Sequence, residues 1–170
     1  METLQRILNV LWVFVLCGVL LAAYGYQFLK HEIPCPLCML QRLAIIGIAT
    51  GVLMNLRFGI RAEHYGLALL SALVGYTVSL RQISLHICPQ FPTFGEPVLG
   101  YDLYVWAFIV FTCSILAAAI LLILFGFFNH GAEQPVWGRL QKTAFGLVCL
   151  IVLVNIVTTL LECGFSACQG

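Results

Sequence analysis

YVWAFIVFTCSILAAAILLILFGFF, residues 104–128, carries no charged side chain. A helix crosses the hydrocarbon of a bilayer with about 20 residues, range about 17–25, and this stretch reaches that length on apolar and small polar side chains alone. Further apolar runs lie at Leu8–Leu29, Leu40–Leu56, Tyr65–Leu80 and Thr143–Leu161. The Tyr65–Leu80 run is short, and extending it through Ile87, across Arg81 and His86, gives it a full span. The first run exceeds the apolar core of about 7–15 residues found in a cleaved secretory signal, and it reads as a retained helix.

The whole chain agrees with that reading. Of its 170 residues, 62% are hydrophobic and 9% charged, against about 45–50% and about 25% in soluble domains. So much apolar surface needs lipid as its solvent. The expected fold class is an all-α integral membrane protein, a compact transmembrane helical bundle in one membrane domain. Its helices are expected at about 8–29, 36–56, 65–87, 103–128 and 143–162. A net charge of +1 with no basic run excludes nucleic acid as a partner. No repeat and no low-complexity segment interrupts the pattern.

Orientation follows from the basic residues. With the N-terminus inside, Arg6, Arg57, Arg61, Arg139 and Lys142 fall on the cytoplasmic side, leaving Lys30, Arg42 and Arg81 outside. The positive-inside rule therefore places the N-terminus in the cytoplasm and the C-terminus outside. Of the 8 cysteines, Cys17, Cys113 and Cys149 then lie within helices, where a free cysteine acts as a small hydrophobe. Cys35, Cys38, Cys88, Cys163 and Cys168 gather on the outer face, in a compartment where disulfides persist. An odd number of thiols there suits bonds that exchange during turnover better than a fixed framework.

Cys35 and Cys38 have the most specific surroundings, IPCPLCMLQR at residues 33–42. Pro34 suits the first turn of a helix, where its missing N–H leaves nothing unsatisfied. A thiolate at a helix N-terminus is stabilised by the dipole, and it is the attacking species in disulfide exchange. Arg42 lies one turn deeper than Cys38, and a charge in that position marks either a ligand contact or a side chain reaching back to the headgroups. Arg81, Gln82, Ser84 and His86 form a polar group where the third helix meets the same face. For Gln82 and Ser84 an ordinary interfacial collar is the expectation. Haem attachment is excluded because Met39 stands where a histidine is required. A closed zinc site lacks a second tight cysteine pair, and no residue is assigned to a metal. A membrane transporter passing soft metal ions between cysteine pairs is the alternative to redox chemistry.

Pro34-Cys35-Pro36-Leu37-Cys38 followed by Gln41-Arg42 resembles the DsbB family of bacterial inner-membrane thiol oxidases. Val98-Leu99-Gly100-Tyr101-Asp102-Leu103-Tyr104-Val105-Trp106 is similar to that family's approach to its fourth helix, with Tyr104 where proline is usual. The resemblance implies a quinone-dependent thiol:disulfide oxidoreductase. Such an enzyme reoxidises a periplasmic, thioredoxin-like DsbA partner and passes electrons to ubiquinone or menaquinone. It further implies Cys35 and Cys38 as the quinone-proximal pair and Arg42 as a quinone contact, with His86 near a family histidine at the end of the third helix. Arg81 is a further candidate from the polar group itself, which with Arg42 could hold a ligand's carbonyl oxygens. The family bundle has four helices and two cysteines in its second outer loop. This chain has Cys88 alone in that loop, then a fifth helix and a tail with Cys163 and Cys168. A Cys88 pairing with a tail cysteine, or a Cys163–Cys168 disulfide, would complete the exchange route.

Overall fold

Lipid offers no hydrogen-bond partners to a backbone, so an apolar segment in a bilayer closes its amides within a helix. The computed structural model, which describes residues 2–30, 35–87, 97–128 and 138–163, consists of five such helices. They are α1 (Glu2–Lys30), α2 (Pro36–Phe58), α3 (Ala62–Ile87), α4 (Leu103–Phe128) and α5 (Arg139–Cys163). All are long and apolar enough to cross a membrane. Among the described residues the remaining regular pairing is a single bridge between Val98 and Tyr101.

Three helices, α1, α3 and α5, start earlier than expected, α1 and α5 by a full turn or more. In α1 the additional turns carry Gln5, which turns inward and is buried like Asn9 one turn later. In α5 the additional turn begins at Arg139, whose charge lies at the helix end. Both turns continue the backbone hydrogen bonding of the span beyond its apolar part.

The central helix is α2, which touches all four others, while α5 packs on α1 and α2. Val13, Leu16, Leu20, Ile48, Val52, Phe111 and Ile151 form the middle of the core, and Cys17 packs among them. Cys113 and Cys149 face outward. On α3 the buried positions Tyr65, Ala68, Ala72, Gly75, Ser79 and Gln82 alternate in steps of three and four. That stripe of mostly small side chains lets helix backbones approach closely, the usual basis of helix association in lipid. At Gly51 of α2 an added Cβ would stand 2.7 Å from the His64 carbonyl oxygen and 2.8 Å from the Ala68 nitrogen. At Gly75 it would overlap the buried ring of Phe111.

Side-chain hydrogen bonds tie the end of the bundle formed by the start of α1 and the α2–α3 turn. Asn9 Nδ2 donates to Tyr65 Oη at 2.8 Å. Asn55 Oδ1 accepts from the Arg61 backbone N–H at 3.0 Å and lies 3.0 Å from His64 Nδ1. These bonds join three helices far from the cysteines and fix how α1, α2 and α3 meet.

The α2–α3 approach can be tested directly. Gly51→Ala should lower the unfolding stability of the detergent-solubilised protein by about 1–3 kcal/mol, the usual cost of overpacking. Gly18→Ala, where the new methyl meets nothing within 4 Å, should leave it near wild type. Equal stabilities for the two variants would contradict the close contact.

Candidate redox site

The site begins with one residue in extended conformation. Cys35, at φ −71° and ψ 154°, is the N-cap of α2, and its Sγ accepts the Cys38 backbone N–H at 3.1 Å. Pro36 occupies the first turn, where no N–H is needed; Pro34, expected in that role, lies outside the described residues. The Cys35 carbonyl accepts from the Met39 N–H at 3.2 Å, closing the first α-helical turn. Cys35 and Cys38 form a disulfide across this turn, with their Cα atoms 5.1 Å apart.

Gln82 of α3 reaches the pair from the side. Its Nε2 points at Cys35 Sγ from 3.4 Å and at Cys38 Sγ from 3.7 Å. Its Oε1 accepts from Gln41 Nε2 at 2.9 Å, so the two amides bridge α2 and α3 beside the sulfurs. Gln82 is only 2% exposed and is not part of an interfacial collar. The signal for this was present in the sequence: Gln82 continues the three-and-four stripe of buried residues on α3. Ser84, off that stripe, is exposed and donates to the Leu80 carbonyl.

Arg42 is buried one turn deeper, with its guanidinium over the Tyr24 ring at 4.6 Å from the centroid. Both cysteines, Gln41, Arg42 and Gln82 line a cavity of about 390 Å³. Its remaining wall is mostly apolar, from Val19, Leu20, Ile45, Leu103, Ala107 and Val110 among others.

The segment before α4 closes one side. Val98 and Tyr101 exchange backbone hydrogen bonds of 2.9 and 3.2 Å around Leu99 and Gly100, whose φ values are 53° and 83°. A two-residue turn with both central residues at positive φ is type I′, and glycine favours it. Leu99 adopts this uncommon conformation inside a turn that Trp106 straps to α4, its Nε1 donating to the Val98 carbonyl at 3.0 Å. Tyr104 Oη donates to Asp102 at 2.6 Å, and its ring stacks on His86 with centroids 4.9 Å apart.

The sequence candidates thus separate. Cys35, Cys38 and Arg42 meet at the cavity. His86 backs onto it through Tyr104, with Nδ1 2.8 Å from the Gln82 carbonyl oxygen. Arg81 is exposed and does not line the cavity. Cys88, Cys168 and the Cys163 side chain lie outside the described residues.

The family model described as disulfide bond formation protein DsbB matches residues 5–94, which span α1 to α3 with both bonded cysteines. The chain belongs to the DsbB family. Proteins named disulfide bond formation protein B are similar to it along different lengths. The one from Cupriavidus necator is 34% identical over 91 residues, covering 53% of this chain and 56% of the relative. One from Nitrosococcus oceani is 39% identical over 87 residues, covering 46% and 47%. In both cases the match spans about half of the relative's length. One from Ralstonia nicotianae is 26% identical over 160 residues, covering 91% of this chain and 98% of the relative. No solved structure matches the chain. Within this DsbB-family bundle, Tyr104 supplies what a proline in its place could not, a hydroxyl for Asp102 and a ring for His86.

A donor aimed at sulfur favours the electron-rich reduced pair over the disulfide. Replacing it by Gln82→Leu should move the dithiol–disulfide equilibrium of Cys35/Cys38 towards the disulfide by roughly tenfold, about 1.4 kcal/mol. Equilibration in glutathione buffers followed by thiol alkylation would measure this. An unchanged equilibrium would mean that the amide contacts do not bias the redox state.

Proposed function

We propose that this chain is a quinone-dependent thiol:disulfide oxidoreductase of the bacterial inner membrane, which reoxidises a DsbA-like thioredoxin-fold partner. The observation that carries the reading is the Cys35–Cys38 disulfide in the wall of a largely apolar cavity that also holds Arg42. The donor set suits a quinone: a guanidinium and side-chain amides beside the sulfurs can bind carbonyl oxygens, and the aliphatic wall can take a ring and prenyl chain. In this reading a bound quinone supplies a sink for two electrons and two protons.

The steps belong to the chain's own residues. A thiolate of the partner attacks an outer disulfide and forms a mixed disulfide, which the partner's second thiol resolves. The outer pair is proposed to join Cys88 to Cys163 or Cys168, with Cys163–Cys168 as the other arrangement. Internal exchange transfers the two reducing equivalents to Cys35 and Cys38. Oxidation of that dithiol restores the disulfide and releases two electrons and two protons at the cavity, balancing the partner's loss. Arg42 holds the acceptor by its oxygen, and Gln82 keeps a donor on the sulfurs. His86 supports the wall through Tyr104, while Arg81 lies exposed outside that wall.

A DsbA-type partner has a potential of about −120 mV, so its oxidant must be more oxidising still, which a membrane quinone satisfies. The five helices act as one membrane domain, with the N-terminus cytoplasmic and the redox cysteines and C-terminus periplasmic.

The test is quinone reduction by the purified protein given a reduced DsbA-like partner, with ubiquinone and menaquinone analogues compared. Cys35→Ser and Cys38→Ser should abolish turnover, while Cys113→Ser should be nearly silent. Arg42→Ala should raise the quinone KM by roughly tenfold, as expected for losing a hydrogen bond to a charged group. Soft-metal transport without quinone reduction would replace this reading. Mass-spectrometric mapping before and after turnover would assign the outer disulfide, and a Cys88 thiol that stays free throughout would eliminate its pairing with the tail.

A further inference from the structure

The fifth helix approaches the site through α1. Tyr24, buried at 4% exposure, uses both ends of its side chain. Its hydroxyl donates to Asn155 Oδ1 of α5 at 2.7 Å, and its ring lies under the Arg42 guanidinium at 4.6 Å. A phenol ring can hold a cation over its face only as well as the ring itself is held. Tyr24 hangs from α1 by rotatable bonds, and the hydrogen bond to Asn155 fixes the far end of that lever. An amide in a transmembrane helix is costly unless it finds a partner within the bundle, and Asn155 finds this one.

We propose that Asn155 is a positioning residue for Arg42, acting through the Tyr24 ring, so that α5 sets the geometry of the cavity without lining it. The contact joins three helices: α5 supplies the acceptor, α1 the ring and α2 the cation. The backbone around Asn155 is reinforced locally, since the Thr159 hydroxyl donates to the Asn155 carbonyl at 2.7 Å and the Thr158 hydroxyl does so at 3.1 Å.

The consequence for quinone binding rests on the function proposed above, whereas the positioning itself does not. It is therefore tested by two measurements on the full chain in nanodiscs. The first is independent of activity: the side-chain Nε–H signal of Arg42 in arginine-labelled protein, assigned by its loss in Arg42→Lys. The Tyr24 ring face should shift this proton upfield. Asn155→Leu and Tyr24→Phe should both move it towards the position of an unstacked arginine, and Thr143→Val, at an exposed position near the start of α5, should leave it in place. Tyr24→Phe keeps the ring and removes only the hydroxyl, so it reads the same contact if Asn155→Leu folds poorly. An Arg42 signal unmoved by loss of either partner would overturn the proposal.

The second measurement is kinetic. Asn155→Leu should raise the quinone KM about three- to tenfold with maximal turnover within about twofold of wild type. The double variant with Tyr24→Phe should be no worse than either single one, because both delete the same bond. Additive losses, or a fall in maximal turnover with unchanged KM, would make Asn155 a general support of the bundle and overturn the positioning role. If the wild-type protein reduces no quinone at all, the proposed function fails, and the Arg42 signal alone decides the role of Asn155.

Discussion

The hydrogen bond between Gln41 and Gln82, at 2.9 Å, joins the two helices that make the site, and the rest of the site is arranged around it. In water such a bond would contribute little, because each amide could turn to solvent. Inside a bilayer bundle neither amide has that option, so the pair constrains the rotation of α2 against α3. With that rotation set, Gln82 Nε2 faces the sulfurs and Arg42 comes one turn deeper on the cavity wall. The stripe of small residues on α3 and Gly51 on α2 permit the close approach that the bond requires. Packing and polarity thus agree on one register.

The five helices were legible in the apolar runs because a span needs length and composition more than pattern. The ends were less legible. The opening turns of α1 and α5 carry Gln5, Arg139 and Lys142, which no search for apolar length would include. The CxxC and Arg42 were visible as a motif, and the structure places them at one cavity. Gln82 departs from the usual habit of polar residues near a helix end, which face headgroups. Its place on the buried stripe of α3 is a matter of phase along the helix, and reading phase would have found it.

Tyr24 and Asn155 show a different limit. They lie more than a hundred residues apart in sequence and meet only because α5 packs on α1 and α2. No local spacing encodes that meeting. Tyr104 is intermediate: its departure from the family pattern was visible, but its bond to Asp102 and its stacking on His86 depend on the turn at Val98–Tyr101.

The 5.1 Å between the Cα atoms of Cys35 and Cys38 is imposed by one turn of helix, and it falls inside the range of about 4.4–6.8 Å that a disulfide needs. The Cys38 N–H on Cys35 Sγ and the Met39 N–H on the Cys35 carbonyl hold that turn by bonds other than the one between the sulfurs. Opening the disulfide therefore leaves its two halves as near neighbours, and reclosing it asks for side-chain rotation rather than a search by the chain. In the proposed cycle this pair can therefore open and close on a stationary backbone, with little structural rearrangement at each change of oxidation state.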